Sequence, residues 1–381
     1  MHTNIRKGVS QSPDPVLAAR ELYDAIYQTD IAFAVFFCSP DYDLNILASE
    51  LTRHFGNINL IGCTTAGEIT PKGYLHGSLT GLSLASEKFE AVTVCIDNLN
   101  DFGFAQGEKL GRTMLSSLKR DGKDPSAKNS FSFMLIDGLC LREEVITSAL
   151  HAALGEIPLF GGSASDGVDF RKTFVYHQGN FRQGRFVFSL IRSSLPFMVF
   201  KSENFTATEK MLVVTAADEK HRIVYEFNAE PAADEYAGLL NINVEQLSPA
   251  VFATHPVVIR IGGQNFVRSI QGVNSDHSLT FYCAIDTGII MRLAQGENLL
   301  DDMEQMCNEI REKIGPPALI ISCTCILRRM EIEQTGIHED INKLAISNNM
   351  IGFSSYGEQF NGMHVNQTFT GVAIGATQTD E

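Results

Sequence analysis

Two stretches of ten residues, near opposite ends of the chain, repeat one pattern of residue types: "LIGCTTAGEI" (60–69) and "MIGFSSYGEQ" (350–359). In both, Ile-Gly and an apolar residue precede two hydroxyl residues, and a Gly-Glu pair follows. Gly62 and Gly81 lie 19 residues apart, and so do Gly352 and Gly371. Because the local pattern and the longer spacing both recur, the sequence indicates a duplicated folding unit.

The segments around the two stretches also occur in one order. The first copy reads as the buried strand "FAVFFCS", the helix "LNILASELTRHF", the repeated turn and the strand "LTGLSLA". The second has "ALIISCTC", "INKLAISNN", the turn and "FTGVAIG". Continuously apolar strands are typical of sheets covered on both faces. The repeat therefore predicts strand-helix-strand units in an α/β (α+β) fold with mixed sheets.

A third, weaker copy lies between these two. It places the turn "LFGGSASDGV" (159–168) between the strands "FSFMLIDG" and "RFVFSLI". Aligned through Gly162 and Gly167, this copy has Val168 in the place of the glutamate. The unequal separation of the three copies excludes a solenoid, in which the period would be constant.

Between Met198 and Arg292 the pattern changes to short alternating segments, with a hairpin predicted around "GVNSDHSLTF". The stretch "RSSLPF" (192–197) interrupts the repeated pattern just before this change. We therefore expect two lobes, at residues 1–195 and 196–381.

The composition excludes several classes of protein. The net charge of −15, from 45 acidic and 30 basic residues, disfavours nucleic acid as a partner. The start of the chain has no apolar signal-peptide centre, and its apolar runs are too short to span a bilayer, so we expect a cytoplasmic protein. The eight cysteines lie mostly in strand-like segments and are expected to be reduced. The pair Cys323 and Cys325 is interpreted as structural, with a metal or redox role as the alternative.

Several separated motifs resemble the FIST family of sensory proteins, which have an N-terminal and a C-terminal FIST region. The first region is matched by "IGCTTAGEI" and "FGGSASDG"; the second by "EPAADEYAGLL", "FVRSIQGVNSDHSLTFYCAID", "ALIISCTCILRR" and "IGFSSYGEQF" followed by "HVNQT". Within the family, "CTCILRRMEIEQTGIHEDI" and "EQFNGMHVNQTFTGVAIG" are similar to the nitric-oxide-sensing NosP subgroup.

This resemblance implies a cytoplasmic, non-catalytic receptor with two FIST regions and a non-covalent haem b that binds nitric oxide. It also implies a signalling partner, either a histidine kinase or a cyclic-di-GMP enzyme (a diguanylate cyclase or phosphodiesterase). The alternative within the family is a haem-free sensor of small molecules similar to amino acids.

A haem would need an axial ligand and cationic groups for its propionates. His255 precedes Pro256 at the start of a buried strand, and His364 follows the repeated turn, so these are the candidate iron ligands. Arg328 and Arg329 directly follow an apolar strand, where α/β sheets bind anions. They are the candidate propionate ligands.

Other candidate residues lie in the turns themselves. Glu68 and Glu358 are expected to accept hydrogen bonds and fasten an irregular turn, or to position a ligand. A catalytic pair of these glutamates is the second alternative function. Ser163 and Asp166, in the glycine-rich third copy, could bind an anion. Arg260 could bind a carboxylate.

Overall fold

The computed structural model describes residues 4–119, 124–261 and 263–376. Its core consists of three copies of one unit, and the α/β class predicted from the sequence is confirmed. Each unit contains, in order, an edge strand, a helix, two parallel strands, a short hairpin and a closing strand. One or two helices connect the two parallel strands. The described residues include no helix that is both long and apolar enough to cross a membrane.

The first unit matches the sequence prediction closely. Asp14 caps its first helix by accepting the backbone N–H of Val16 at 2.9 Å, and Pro15 occupies the first helical position. The elements are β1 (Ile5–Ser10), α1 (Pro15–Ile26), β2 (Ile31–Cys38), α2 (Leu44–Phe55), β3 (Leu60–Thr64), β4 (Glu68–Thr70), β5 (Gly73–Leu75) and β6 (Leu79–Ala85).

The weak third copy of the sequence is a complete second unit. A 3₁₀ turn at Leu99–Asp101 precedes its first helix. The elements are β7 (Phe89–Asp97), α3 (Phe104–Leu118), β8 (Ser130–Ile136), α4 (Glu143–Leu154), β9 (Leu159–Ser163), β10 (Val175–His177), β11 (Asn180–Arg182) and β12 (Arg185–Ser193).

The third unit is interrupted after its edge strand, β13 (Phe197–Ser202), by residues 203–298, which we call the insertion. The insertion forms its own antiparallel sheet in the order β18-β17-β21-β14-β15-β20-β19, with β16 beside β15. The predicted hairpin is formed by β19 and β20. The elements are β14 (Phe205–Asp218), β15 (Ile223–Phe227), β16 (Glu230–Pro231), α5 (Ala232–Leu240), a 3₁₀ turn (Val244–Gln246), α6 (Pro249–Thr254), β17 (Val257–Ile261), β18 (Gln264–Arg268), β19 (Ile270–Val273), β20 (Leu279–Phe281) and β21 (Ile290–Gly296).

After the insertion the third unit resumes, with two helices between its parallel strands. The elements are α7 (Leu299–Ile314), β22 (Pro317–Cys325), α8 (Ile326–Thr335), α9 (His338–Ser347), β23 (Met350–Ser355), β24 (Glu358–Phe360), β25 (Met363–Val365) and β26 (Phe369–Gly375).

The three units exchange their hairpins in a ring. Hairpin β4–β5 of the first unit pairs with β23 of the third, hairpin β24–β25 of the third pairs with β9 of the second, and hairpin β10–β11 of the second pairs with β3 of the first. The resulting sheets have the orders β1-β6-β2-β3-β10-β11, β7-β12-β8-β9-β24-β25 and β13-β26-β22-β23-β4-β5. The units are therefore related by an approximate three-fold axis.

The inner faces of these three sheets form one apolar core, and the helices cover the outer faces. Core side chains such as Phe37, Phe160 and Phe353 come from different units, and the rings of Phe37 and Phe353 stack 4.6 Å apart. Separate apolar clusters lie under α1 and α2, under α3 and α4, and under α7 and α9. This arrangement explains why the central strands are apolar on both faces.

The structure corrects the alignment of the second unit by one residue. Gly62 and Gly352 correspond to Gly161, not to Gly162. Their partners on the parallel neighbour strand, Phe36 and Ser322, are equivalent to Met134, which pairs with Gly161. The hairpin position of the two glutamates corresponds to Val175, not Val168, since Val175 pairs with β3 as the glutamates pair with their own neighbours. A longer connection in the second unit accounts for the difference.

The boundary predicted between residues 195 and 196 falls in the turn between β12 and β13. Two of the exchanged hairpins pair across it, so many contacts join the chain before and after this turn. The division into two sensory regions stays a prediction.

The close packing of the parallel strands leads to a first testable prediction. A Cβ on Gly352 would lie 1.8 Å from the carbonyl oxygen of Ser322, and backbone cannot yield as a side chain can. We expect Gly352→Ala to lower the free energy of unfolding by roughly 1–3 kcal/mol. The thermal unfolding midpoint measures this. Gly238→Ala is the matched control, because a Cβ at this position of α5 meets nothing within 4 Å and alanine favours helix. An equal loss in both variants would contradict the prediction.

Candidate functional site

The turns that follow the three parallel strand pairs meet near the three-fold axis. Each turn donates one backbone N–H to a backbone carbonyl of the next turn, which closes a ring of three hydrogen bonds. These bonds run from Ala66 to Ser354 at 3.0 Å, from Ser165 to Thr64 at 3.0 Å and from Tyr356 to Ser163 at 3.3 Å. Carboxyl ends of parallel strands are where open α/β sheets place ligands, so this junction is the natural position for a site.

Glu68 fastens the first turn. It begins β4, is fully buried, and its Oε1 lies 2.5 Å from the hydroxyl of Thr65. Its Oε2 accepts the backbone N–H of Ser78 at 3.1 Å and the hydroxyl of the same residue at 2.6 Å.

Glu358 makes the same contacts in the third unit. Its Oε1 lies 2.5 Å from the hydroxyl of Ser355, and its Oε2 accepts the hydroxyl of Thr368 at 2.6 Å and the N–H of that residue at 3.3 Å. Both glutamates thus hold hydroxyls three residues before and ten residues after them, as expected of carboxyl groups that fasten a turn. The two lie in different sheets and share none of these partners.

Burial and hydrogen bonding act in opposite directions on the carboxyls of both turns. The Thr65 hydroxyl also lies 3.3 Å from the carbonyl oxygen of Cys38, and the Ser355 hydroxyl lies 3.2 Å from that of Thr324. A hydroxyl has one proton, so if it donates to the carbonyl the carboxyl must donate to it. Burial raises the pKa of both glutamates, and that of Glu358 to about 8, although the neighbouring hydroxyls oppose the shift.

A cavity of about 290 Å³ opens beside the first turn, and we call it the junction pocket. Parts of all three units line it: the turns after β2 and β3, the end of hairpin β4–β5, the connection after β9, and α8. The lining residues are Ser39, Pro40, Asp41, Thr65, Ala66, Gly67, Glu68, His76, Gly77, Asp166, Gly167, Val168, Ile326, Arg329, Met330 and Glu333. The pocket therefore depends on the hairpin exchange.

Arg329 supplies the positive charge of the junction pocket. It lies on α8, is 4% exposed, and its Nη1 is 1.7 Å from where a Cβ of Gly67 would be. Only a glycine, here with φ of 131°, can lie against the guanidinium in this way. Its hydrogen bonds are long: Nε donates to Glu333 at 3.3 Å, and Nη1 and Nη2 donate to the carbonyl of Leu75 at 3.4 and 3.3 Å.

Acidic residues lie around this arginine. Glu333 is about half exposed and is also 3.5 Å from Nε2 of His76. Asp41 also lines the pocket, and its carboxylate accepts the hydroxyl of Ser39 at 3.0 Å. Burial lowers the pKa of His76, and the nearby Arg329 charge acts in the same direction. The pocket can thus present a buried cation and a rim of carboxylates to one small molecule.

The predicted haem ligand His364 lies in β25, outside the junction pocket. It is 3% exposed, and its Nδ1 is 3.3 Å from Nε2 of Gln359. Burial lowers the pKa of His364, which favours the neutral form that can bind a metal. However, a Cβ on Gly357 would lie 2.7 Å from the other ring nitrogen, Nε2. The free side of the ring is therefore packed against backbone.

The second predicted ligand, His255, lies between α6 and β17. Its Nδ1 is 2.9 Å from the hydroxyl of Thr254, and its backbone carbonyl accepts the hydroxyl of Tyr236 at 2.5 Å. None of these contacts links it to His364, and the roles of both histidines in haem binding stay predictions. In the described part of the chain, no group of three or more His, Cys, Asp or Glu residues is arranged to hold a metal ion.

The two adjacent arginines of α8 have different positions. Arg328 is fully buried, where it donates to Asp302 of α7 at 3.0 Å and to Asn204 at 3.0 Å. It thereby joins α8 to α7 and to the start of the insertion. Arg260 is exposed on β17 in the insertion sheet. Of the three predicted anion-binding arginines, only Arg329 lines the junction pocket.

Ser163 and Asp166 lie three residues apart in the second unit and have different contacts. The Ser163 hydroxyl is buried and accepts Nε2 of Gln359 at 3.0 Å. Asp166 lines the junction pocket, and its carboxylate accepts the backbone N–H groups of Arg171 at 2.8 Å and Lys172 at 2.7 Å. Asp166 thus organises its own loop.

The eight cysteines are unpaired, as predicted for reduced core thiols. Cys323 and Cys325 of β22 are both buried, and burial raises the pKa of each thiol. A buried thiol of this kind is poorly reactive. The structural interpretation of the Cys-x-Cys pair is therefore favoured.

Sequence reasoning did not identify three residues of the junction pocket: Asp41, His76 and Glu333. His76 and Gly77 come eight and nine residues after Glu68, as Asn366 and Gln367 come after Glu358. The repeat could have indicated these positions, but their residue types differ between the copies. Asp41 and Glu333 have no local pattern that would separate them from ordinary surface acids.

Two family models for sensory domains of signal-transduction proteins match this chain. The FIST N domain model matches residues 32–230, and the FIST C domain model matches residues 232–361. Together these matches cover most of the chain, which therefore belongs to the FIST family.

The chain is also similar to an uncharacterized protein of Methanocaldococcus jannaschii. The two are 22% identical over 369 residues, which covers 86% of this chain and 70% of the relative. This relative extends the likeness over both FIST regions and adds no specific activity.

The protonated turn carboxyl leads to a prediction of pH dependence. With its pKa raised to about 8, Glu358 stays protonated in the folded protein while the unfolded chain ionises near the usual pKa of about 4.3. Stability should therefore fall as pH rises from about 5 to 8, by up to about 1.4 kcal/mol per pH unit from this group. Glu358→Gln should remove this part of the dependence.

Urea unfolding of wild type and variant at several pH values measures the difference. Glu304→Gln, at an exposed position of α7, is the matched control and should leave the pH dependence unchanged. If Glu358→Gln loses as much stability between pH 5 and 8 as the wild type does, the carboxyl is ionised in the folded state.

Proposed function

We propose that this FIST protein is a non-catalytic sensor that binds a small polar molecule in the junction pocket and signals through contacts with a partner protein. The observation that carries the proposal is Arg329, a nearly buried guanidinium that lines a cavity built from all three units. Its carboxylate partner, Glu333, is about half exposed and lies 3.3 Å from Nε, so Nη1 and Nη2 can bind an anion in the pocket.

The contacts of Arg329 leave donors for a ligand. They occupy one N–H on each of its three nitrogens, and a guanidinium has five N–H groups. Because the bonds to Leu75 are long, a carboxylate that binds both Nη atoms would compete well with the single backbone carbonyl.

The rim of the pocket supports a ligand that also carries a positive charge. Asp41 and Glu333 can accept an ammonium group, whereas the carboxyl of Glu68 is buried and already bonded to Thr65 and Ser78. A carboxylate together with an ammonium group describes a molecule similar to an amino acid. A cavity of about 290 Å³ is at the lower end of the range for small-molecule sites.

The output side of the proposal rests on the family resemblance. We propose a cytoplasmic protein whose partner is a histidine kinase or a cyclic-di-GMP enzyme. The catalytic alternative, which uses Glu68 and Glu358 together, receives less support, because each carboxyl is enclosed by the hydroxyls of its own turn in a different sheet.

The ligand proposal is tested by thermal unfolding in the presence of each standard amino acid. We expect at least one to raise the midpoint, since a ligand that binds only the folded state stabilises it. Arg329→Gln should weaken that binding by roughly ten- to a hundred-fold, because a charge-assisted hydrogen-bond pair is lost.

Arg260→Gln, which changes an exposed arginine outside the pocket, is the control and should bind as the wild type does. An amino acid that stabilises Arg329→Gln as strongly as the wild type would place the ligand elsewhere.

Haem-based nitric oxide sensing is the second candidate, and the buried neutral His364 with Gln359 at its Nδ1 favours it. The fit is incomplete, because Gly357 backbone occupies the side of the ring that iron would need. Haem b binding through His364 therefore requires a rearrangement of the third turn.

Absorbance spectra after haem addition decide this candidate. A sharp Soret band that shifts with nitric oxide and is lost in His364→Ala, but not in His255→Ala, would support His364 as the ligand. The reverse result would support His255. If no sharp band forms in the wild type, the haem proposal fails.

A further inference from the structure

The connection between the parallel strand and the hairpin is much longer in the second unit than in the others. Residues 164–174, which we call the crossover loop, join β9 to β10, whereas two or three residues suffice in the first and third units. The loop contributes Asp166, Gly167 and Val168 to the junction pocket. The loop therefore breaks the three-fold symmetry within the pocket.

One carboxylate fixes the conformation of the crossover loop. Asp166 accepts the backbone N–H of Phe170 at 3.0 Å, those of Arg171 and Lys172, and the hydroxyl of Tyr356. Phe170 has a φ of 51°, which is uncommon for a bulky residue and costs energy. Asp166 therefore stabilises the loop in a conformation that includes a strained residue.

Phe170 connects the crossover loop to the insertion. Its ring stacks on Tyr356, with centroids 4.4 Å apart and an angle of 23°, and its centroid is 5.7 Å from that of Tyr282. Tyr282 follows β20 in the insertion, and its carbonyl accepts Nη1 of Arg222 at 2.6 Å. Met330, from the pocket-lining face of α8, packs in the same apolar cluster.

These contacts form a continuous chain from the pocket to the insertion. Asp166 lines the cavity, Phe170 lies four residues further along the loop, and Tyr282 directly follows β20 of the insertion sheet. Arg222, at the next step, pairs with Glu143 at 2.6 Å and with Glu144 at 2.9 Å, so it ties the insertion to the N-terminus of α4. A change at Asp166 thus has a direct route to the insertion.

We propose that the crossover loop couples the junction pocket to the insertion, by exchanging between the stacked arrangement of Phe170 and one in which Phe170 leaves Tyr282. The proposal rests on the proposed function for the identity of the signal. A ligand that contacts Asp166–Val168 would change the balance between the two arrangements by binding one of them better. A change in the position or stability of the insertion would then indicate that a ligand occupies the junction pocket.

The coupling is tested without any ligand by hydrogen exchange of the full chain. We expect Asp166→Asn to speed exchange by roughly two- to ten-fold in peptides from the crossover loop and also from residues 220–224 and 279–286, as loss of an aromatic contact would allow. Asp169→Asn, at an exposed acid of the same loop, is the matched control and should change neither insertion peptide.

A second variant keeps the test decisive if Asp166→Asn folds poorly. Phe170→Leu removes the stacking but keeps an apolar side chain, and it should affect the same insertion peptides. Faster exchange confined to the crossover loop would overturn the proposal. Faster exchange throughout the chain, including residues 15–38, would also overturn it, because the loop would then support the whole fold.

An optical measurement separates this proposal from the proposed function. The chain contains no tryptophan, so Phe170→Trp introduces a single reporter. Each standard amino acid is added, and thermal stabilisation and Trp emission are recorded together. Stabilisation with a shifted emission supports both proposals, and stabilisation with unchanged emission overturns the coupling while the binding proposal stands. If no amino acid stabilises the protein, the binding proposal fails and the exchange experiment alone decides the coupling.

Discussion

The hairpin exchange is the constraint on which the rest of the structure depends. Each unit sends its chain out of its own sheet, past the three-fold axis, and into the next sheet. The backbone at this crossing is buried and irregular, so its polar groups need partners other than a regular strand neighbour. The ring of three backbone hydrogen bonds and the hydroxyl contacts of Glu68 and Glu358 provide these partners.

In the second unit, different groups satisfy the buried backbone at the crossing, and the longer loop found there forms part of the junction pocket. In place of a glutamate at the start of the hairpin this unit has Val175, and a longer loop is fastened by Asp166 through backbone N–H groups. In the first and third units, small side chains fill the crossing. In the second unit, residues 166–168 of the longer loop line the junction pocket, which is completed by residues of the other two units.

The sequence predicts most of the fold because the repeated elements are local. Helices α1 and α2 and strands β6 and β26 are indicated by capping residues, periodicity and continuous apolar runs. The exchange could not be predicted, since the hairpin strands have three residues each and nothing local specifies a partner in another unit. For the site, the repeat pointed to Glu68, and the end of an apolar strand pointed to Arg329. Phe170 was missed because its partners, Tyr282 and Tyr356, are more than a hundred residues away.

The two Gly-Glu turns have the same backbone arrangement but different side chains packed against their glycines. Arg329 lies against Gly67 and His364 lies against Gly357, so each glycine makes room for a nitrogen-bearing side chain. The first arrangement faces the junction pocket. In the third unit the position of Gly77 is taken by Gln367, whose amide donates to Ala253 at 2.6 Å and accepts from Ser269 at 2.8 Å, both in the insertion. The insertion therefore covers the connection between β25 and β26 of the third unit. These contacts join that connection, which directly follows the strand of His364, to α6 and to the residue before β19, so the position of the insertion is linked to that of β25.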